Sequence, residues 1–363
     1  MKRLKRRDFV KKAAALSSLA VIPGSSFANI LFPQKKRLGV ALVGLGYYST
    51  DLLAPALQLT KNCELRGIVT GTPSKIPVWQ SKYGIKDQNV YNYENMHEVA
   101  NNDDIDVIYI VLPNSMHAEY AIKAANAGKH VWCEKPMAKT VAECQSIIDA
   151  CKKNSRYLSI GYRMQHEPNT QRIIKWADTK PYGQINKLTA EAGFFNRSTD
   201  HWKLEKDMGG GAMYDMGVYS LNAARYVTGE EPIAVTASHS TTRPEIYTEV
   251  DETTTFELEF PSGAMANCKT SFGANLNDLM VNCENGWYEL SPFQAYNGIN
   301  GSTSDGIVLN ALIENEQAKQ MDDDALAIMN KSSVLVPGEE GLKDIRVVEA
   351  IFQSAREGQR IEL

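Results

Sequence analysis

Three short clusters in this chain carry residue types able to move a proton or brace a developing charge. The first is Leu112-Pro113-Asn114-Ser115-Met116-His117 and the second is Cys133-Glu134-Lys135-Pro136. The third is a glycine run, Gly209 to Gly211, followed by Asp215 and Tyr219. Asp215 and Tyr219 are four apart, so a helix presents both on one face. A free phenol titrates near 10 and is a poor base at neutral pH. An ammonium group within about 4–6 Å stabilises the phenolate and brings it into working range. The chemistry this permits is removal of a hydroxyl proton. Three further residues have two readings each. His117 suits the cap of a following helix or the wall of a cofactor pocket. Arg163, in Gly161-Tyr162-Arg163, suits a substrate pocket or a structural ion pair. Trp202, in Asp200-His201-Trp202, offers a stacking face to a sugar ring or plain core packing.

The elements that must position these clusters fall into two textures. Residues 38–163 alternate apolar runs with helical patterns, the signature of a doubly wound parallel sheet of Rossmann type. The spacing predicts strands at Leu38–Val43, Glu64–Thr70, Val107–Leu112, His130–Cys133 and Tyr157–Gly161, with helices near 50–60, 74–83, 117–127 and 140–154. In such sheets ligands bind beyond the carboxyl ends of strands, where the first two clusters fall. The first strand runs into Gly44-Leu45-Gly46-Tyr47-Tyr48-Ser49. Gly44 permits the tight turn, and Gly46 lets backbone approach a pyrophosphate at a helix N-terminus. Ser49 stands at the third glycine position, a departure that bears on helix packing more than on phosphate contact. The second strand ends in Thr70-Gly71-Thr72-Pro73-Ser74-Lys75, with hydroxyls and a lysine where an acidic residue would hold the ribose diol of NAD. Thr70 and Lys75 suit a 2′-phosphate, so NADP is expected over NAD.

After Arg163 the strands lengthen and alternate. Phe256, Leu258 and Phe260 point one way while Glu257 and Glu259 point the other, the pattern of an antiparallel sheet with one wet face. Similar segments recur at 185–195, 233–242, 264–272 and 279–290, and helical stretches at about 308–330 and 340–357 close the chain. The expected layout is a dinucleotide-binding domain over 29–163 and an α+β substrate domain over 164–335. The latter is an open antiparallel β-sheet with helices on one face, and a C-terminal helix within 336–363 packs back on the first domain.

Ahead of all this, Arg6-Arg7-Asp8-Phe9 follows a basic start, and a weakly apolar run, Ala13 to Ile22, leads to Ser26-Phe27-Ala28. This is the form of a twin-arginine export signal over 1–28, which implies delivery, already folded, to the periplasm. The apolar run is too short to span a bilayer, which takes about 20 residues. Residues 1–28 carry seven Lys/Arg and one Asp, so their removal takes the formal charge from −4 to −10. Nucleic acid and anionic membrane are poor partners for such a chain. The six cysteines have no CxxC or metal-type spacing, so neither a disulfide framework nor a metal site is expected. Cys144 and Cys151, seven apart on a predicted helix, share a face and read as packing.

Together these motifs resemble the glucose–fructose oxidoreductase / inositol dehydrogenase family, and most of all its glucose–fructose oxidoreductase branch. The resemblance rests on Gly44-Leu-Gly46-Tyr-Tyr, Leu112-Pro-Asn-Ser-Met-His117-Ala-Glu, Cys133-Glu-Lys-Pro-Met137, Ile160-Gly-Tyr-Arg163, Gly209 to Gly211 with Asp215 and Tyr219, and Pro337-Gly-Glu-Glu-Gly341. It implies that Lys135 sits beside the nicotinamide and the substrate hydroxyl, where it is the cation that assists Tyr219. Most relatives carry a histidine at the position of Tyr219. It further implies coenzyme contacts from Tyr47, Tyr48, Leu112, Asn114, His117, Glu134, Lys135 and Arg163. Substrate contacts fall to Lys135, Arg163, Trp202, Asp215 and Tyr219. The implied function is sugar oxidation with tightly held NADP, the hydride passing on to a second sugar carbonyl. A simple aldose dehydrogenase, a redox-neutral glycoside hydrolase and a sensor without turnover are the competing readings. The branch has a long arm ahead of its first strand that helps bury the coenzyme. Here Asn29–Arg37 alone fill that interval, which loosens the expectation of retention. A homodimer or homotetramer formed through the C-terminal sheet is also expected, on the ground that an apolar sheet face seeks cover.

Overall fold

The computed structural model describes residues 37–363. The export signal at 1–28 and the segment from Asn29 to Lys36 lie outside the described residues. The first sheet has the strand order β3-β2-β1-β4-β5-β6. Its members are β1 (Leu38–Val43), β2 (Cys63–Val69), β3 (Val90–Tyr91), β4 (Val107–Ile110), β5 (His130–Cys133) and β6 (Leu158–Ile160). All neighbouring pairs are parallel. Every residue of β1 and β4 is buried, as a parallel sheet covered on both faces requires. The crossovers include α1 (Ile76–Tyr83), α2 (His117–Asn126) and α3 (Val141–Lys153). Thr140 and Glu143 form a reciprocal capping box that starts α3, and Cys144 and Cys151 lie buried on its inner face. All six cysteines are free thiols.

The strand order reverses between β1 and β4, so the loops after these two strands part and leave a crevice at that point. The short strand β3 has no counterpart in the sequence pattern because it is two residues long. The expected helix near 50–60 is a π-helical turn, Tyr48–Leu53, running into a single α-turn, Ala54–Ala56.

The second sheet has nine strands in the order β14-β13-β12-β11-β7-β10-β9-β8-β15. They are β7 (Ile185–Gly193), β8 (Ala234–Ser240), β9 (Thr253–Glu259), β10 (Met265–Ser271), β11 (Leu276–Cys283), β12 (Gly286–Leu290), β13 (Gly301–Thr303), β14 (Val308–Leu309) and β15 (Ile361–Glu362). The sheet is mixed rather than wholly antiparallel: β7 and β10 run parallel at its centre, because β8 and β9 are laid down outside them. The segment 279–290 is a hairpin, not one strand, turning at Glu284-Asn285 before Gly286.

Helix α4 (Pro168–Thr179) and helix α5 (Val218–Thr228) pack against each other, and α5 lies on β7. The opposite face carries Thr189, Glu191, Thr236, Ser238, Thr255, Glu257 and Lys269. Over this stretch the face is polar, so the apolar ground for self-association does not apply there.

Two late helices redraw the expected boundary at 335. Residues 308–309 are a strand, and α6 (Glu316–Asn330) begins only at Asn315, whose side chain accepts from the Ala318 N–H. Ala318, Met321, Ala325 and Ile328 of α6 join Leu42, Val107, Tyr109 and Trp132 in one apolar cluster, so α6 covers the parallel sheet. Asp322 at the same time accepts from the backbone N–H groups of Lys61 and Asn62. The last helix, α7 (Gly338–Glu357), lies on α3 of the first domain and equally on β8 of the second. It thereby bridges the two domains.

Candidate active site

The coenzyme cradle is built by the turn after β1. Gly44 has φ +89°, and a Cβ there would lie 2.3 Å from the Val111 carbonyl oxygen. Glycine is required on both counts. A Cβ on Gly46 would meet nothing within 4 Å, so its backbone opens on the crevice and fits close approach by a pyrophosphate. Ser49, buried at the third glycine position, donates from Oγ to the Gly44 carbonyl at 2.6 Å and ties the turn to the helix behind it. Lys75 reaches back over this turn, its Nζ 2.6 Å from the Leu45 carbonyl. The Thr70 hydroxyl accepts from the Thr72 N–H at 3.1 Å. A cation and hydroxyls thus stand at the end of β2 beside the glycine turn, and the donor set fits a phosphorylated ribose.

Asn114, His117 and Glu134 are braces. Asn114 donates to the Gly209 carbonyl at 2.7 Å and so joins the first cluster to the third. His117 is fully buried, with Nδ1 2.8 Å from the Pro136 carbonyl and Nε2 2.9 Å from the Leu112 carbonyl. A neutral imidazole has one N–H, so it donates to one carbonyl at a time. Burial, with Lys135 nearby, holds His117 below the ordinary histidine range, against the carbonyl contacts. It links the loops after β4 and β5. Glu134 accepts from the Tyr109 hydroxyl at 2.6 Å, and burial raises its carboxyl above the usual range against the pull of Tyr109 and Lys135.

The reacting groups converge where a second π-helical turn, Met213–Gly217, runs into α5. The described residues contain two π-helical turns, and both border the crevice. The Lys135 Nζ lies 4.4 Å from the Tyr219 ring centroid, 3.8 Å from Asp215 Oδ1 and 2.6 Å from the Asp215 carbonyl oxygen. Burial works to discharge this ammonium, yet Tyr219, Asp215 and Glu134 carry it above the ordinary lysine value. Asp215 is paired a second time, with Lys203 Nζ at 2.7 Å. Against burial, Lys203 and Lys135 hold its carboxyl below the usual carboxylate range. Arg163 is buried and donates to the Tyr219 hydroxyl at 2.7 Å and to the Ala295 carbonyl at 2.9 Å. Its Nε lies 3.3 Å from Glu316 of α6.

Lys135, Asp215, Tyr219 and Arg163 are therefore brought together. Tyr48 faces Tyr296 across the crevice with ring centroids 6.1 Å apart, while Tyr47 is 66% exposed beside it. The Leu112 contribution is its carbonyl, taken by His117. Trp202 stacks on His201, and it is the next residue, Lys203, that reaches the site. Lys203, Tyr296 and Glu316 were not anticipated. A lysine beside Trp202 was a weak signal for the first, while Tyr296 and Glu316 sit in segments with no motif.

Residues 38–162 match the oxidoreductase family with an NAD-binding Rossmann fold, and residues 170–289 match the GFO/IDH/MocA C-terminal domain. An aldose-aldose oxidoreductase from Caulobacter crescentus, crystallised with glycerol, is 39% identical with a TM-score of 0.87 over 90% of this chain and 100% of its own. An NADP-dependent D-xylose 1-dehydrogenase from Haloarcula marismortui is 26% identical over 89% of this chain and 92% of its own. A D-glucoside 3-dehydrogenase from Escherichia coli is 24% identical over 90% and 97%. The chain belongs to the GFO/IDH/MocA family of oxidoreductases, whose first domain is an NAD-binding Rossmann fold.

Proposed function

We propose that the protein is an exported, NADP-dependent aldose oxidoreductase that passes hydride from one aldose to the carbonyl of a second sugar. One observation carries this reading: a phenol, Tyr219, lies against two cations, Lys135 and Arg163, at the mouth of a dinucleotide crevice. Bound nicotinamide supplies the hydride acceptor in the first half-reaction and the donor in the second. Gly44, Gly46 and Lys75 would hold the coenzyme. Tyr219 acts as a phenolate whose negative oxygen is met by the Arg163 N–H, and it takes the proton of the sugar hydroxyl to become a neutral phenol. Lys135 stands by the alkoxide forming at the sugar carbon. Asp215, kept as a carboxylate by Lys203 and Lys135, can only accept hydrogen bonds, so it orients sugar hydroxyls. In the second half-reaction Tyr219 gives a proton to the carbonyl oxygen of the acceptor. One site serves both sugars in turn, which gives ping-pong kinetics.

The Caulobacter relative supports transfer between aldoses, and the haloarchaeal relative supports NADP. The Arg6-Arg7 signal supports export. Self-association through the nine-stranded sheet belongs to the proposal as a hydrogen-bonded polar contact, checked by light scattering. The main test is incubation of purified protein with glucose or xylose, without added coenzyme. Lactone and alditol should form in equal amounts, and mass spectrometry should find NADP(H) with the protein. Product that appears only in proportion to added coenzyme would reduce the protein to a simple dehydrogenase.

A further inference from the structure

Behind the reacting groups, α6 lies against β4, β5 and β6 along a seam that is polar on both sides. Tyr109, Trp132 and Ser159 are neighbours in register on the three strands, so they share a face of the sheet. From α6 come Glu316, Gln320 and Asp324, four apart on one stripe. All six side chains are at most 1% exposed. Among the described residues, Trp132 Nε1, Ser159 Oγ, His166 Nε2, Gln317 Nε2, Gln320 Oε1 and both Asp324 oxygens form no hydrogen bond with the protein. Ser159 is close enough to Asp324 to favour its charged form, but without hydrogen-bond geometry. Each buried polar group left unmet costs at least as much as a hydrogen bond contributes, and so many together rival the net stability of a domain. Ordered water resolves this, since a buried water binds where two to four polar atoms converge.

The seam is joined to the site at one end and to solvent at the other. At the site end Glu316 pairs with Arg163, whose other arm holds Tyr219, while Gln320 donates to Tyr109 at 3.2 Å and Tyr109 donates to Glu134. At the far end His166 Nδ1 is 2.9 Å from Asp323, which is partly exposed and paired with Lys319. We propose that this seam holds a row of ordered waters that carries the proton between Tyr219 and solvent. The proposal rests on the reading that Tyr219 takes the sugar hydroxyl proton.

The need arises because Tyr219 is 6% exposed and a bound sugar closes its open side. The proton leaves the Tyr219 oxygen through water beside Arg163 and reaches a Glu316 oxygen, which turns from carboxylate to acid. It passes by water to Asp324 and out at His166 and Asp323. Each hand-off breaks one O–H or N–H bond and forms another, and nothing is oxidised or reduced. Arg163 keeps its charge and acts as the post that fixes both ends of the first transfer. Burial lifts Glu316 to about 7, with Arg163 opposing and Glu167 adding. It lifts Asp324 to about 6, with His166 opposing and Asp323 adding. Both acids therefore exchange protons near neutrality, where an ordinary carboxylate does not.

The test uses NADP-loaded enzyme mixed with excess aldose in weak buffer containing a pH dye. Nicotinamide absorbance reads hydride transfer and the dye reads proton release in the same trace. In Asp324→Asn and Gln320→Leu the ratio of dye rate to nicotinamide rate should fall at least about tenfold against wild type. An unchanged ratio in both variants overturns the conduit. Should wild-type enzyme leave its nicotinamide unreduced when mixed with aldose, the hydride reading has failed instead, and a high-resolution crystal structure decides the seam alone. Waters bonded to Asp324 and Gln320 would support it, and a dry seam would overturn it.

Discussion

Arg163 and Arg225 are both buried guanidinium groups within reach of α5, and they are held in opposite ways. Arg225, on α5 itself, meets carboxylates: Glu231 at 2.7 Å, Glu340 at 3.0 Å and Asp344 of α7. Its charge is answered in full, and the cluster clamps α7 to the second domain. Burial nevertheless keeps the Asp344 carboxyl above its ordinary range, with Arg225 pulling the other way. Arg163, near the other end of α5, meets a backbone carbonyl, the Tyr219 hydroxyl and Glu316, a carboxyl that burial lifts to about 7. Its partners are neutral or can become so. The first arrangement stores stability, and the second leaves positive charge to be met when a proton moves. A buried arginine is thus structural or functional according to whether its partners are permanently charged.

That contrast can be broken at several points. Tyr219→Phe removes the proton acceptor beside Arg163, and kcat should fall by up to about 10⁴-fold while coenzyme stays bound. Turnover within a few-fold of wild type would mean that another group is the base. Arg225→Met strands Asp344 in the interior. Denaturant unfolding should register a loss of about 3–5 kcal/mol, with the first hydride transfer in the folded fraction unaffected. A slowed hydride transfer would show that the structural and reacting ends of α5 are coupled.

The smallest effect concerns the seam that Glu316 opens. The folded chain holds the Asp324 proton to about pH 6, well above the ordinary carboxyl value of 3.8. The native state therefore binds this proton more tightly than the unfolded chain. The associated stability is full below about pH 4 and is lost as pH rises through about 6. Asp324→Asn should match wild type near pH 4 and exceed it by roughly 2–3 kcal/mol at pH 8. Urea unfolding at the two pH values checks this, and a difference that does not vary with pH would mean Asp324 is ionised throughout.

Legibility from sequence followed the range of the interactions. The apolar runs placed β1 and β5 to the residue, because the buried stretches, all of β1 and Val131 to Cys133 of β5, must be apolar. The central parallel pair, β7 with β10, was not legible, since period-two alternation is the same for either direction of pairing. Helix α6 carries apolar residues on one face and a polar stripe on the other, and its pattern does not say which domain each face meets. The Asp215–Tyr219 spacing announced a shared face. Lys203, twelve residues before Asp215, reaches it only because the 202–204 turn folds back.

What the chain alone determined is local: a glycine at 44 where φ is positive, a hydroxyl-and-lysine end to β2, and a phenol and a carboxylate one helical turn apart. These follow from backbone sterics and helical period, which act over a few residues. What tertiary structure decided is which charges meet. Arg163 comes to lie between Tyr219 and Glu316, and Asp324 faces Ser159 and His166 across more than a hundred residues of chain. Such meetings set the charge state of a buried group. Burial and partner identity arise only when distant segments pack, so no periodicity in the sequence encodes them.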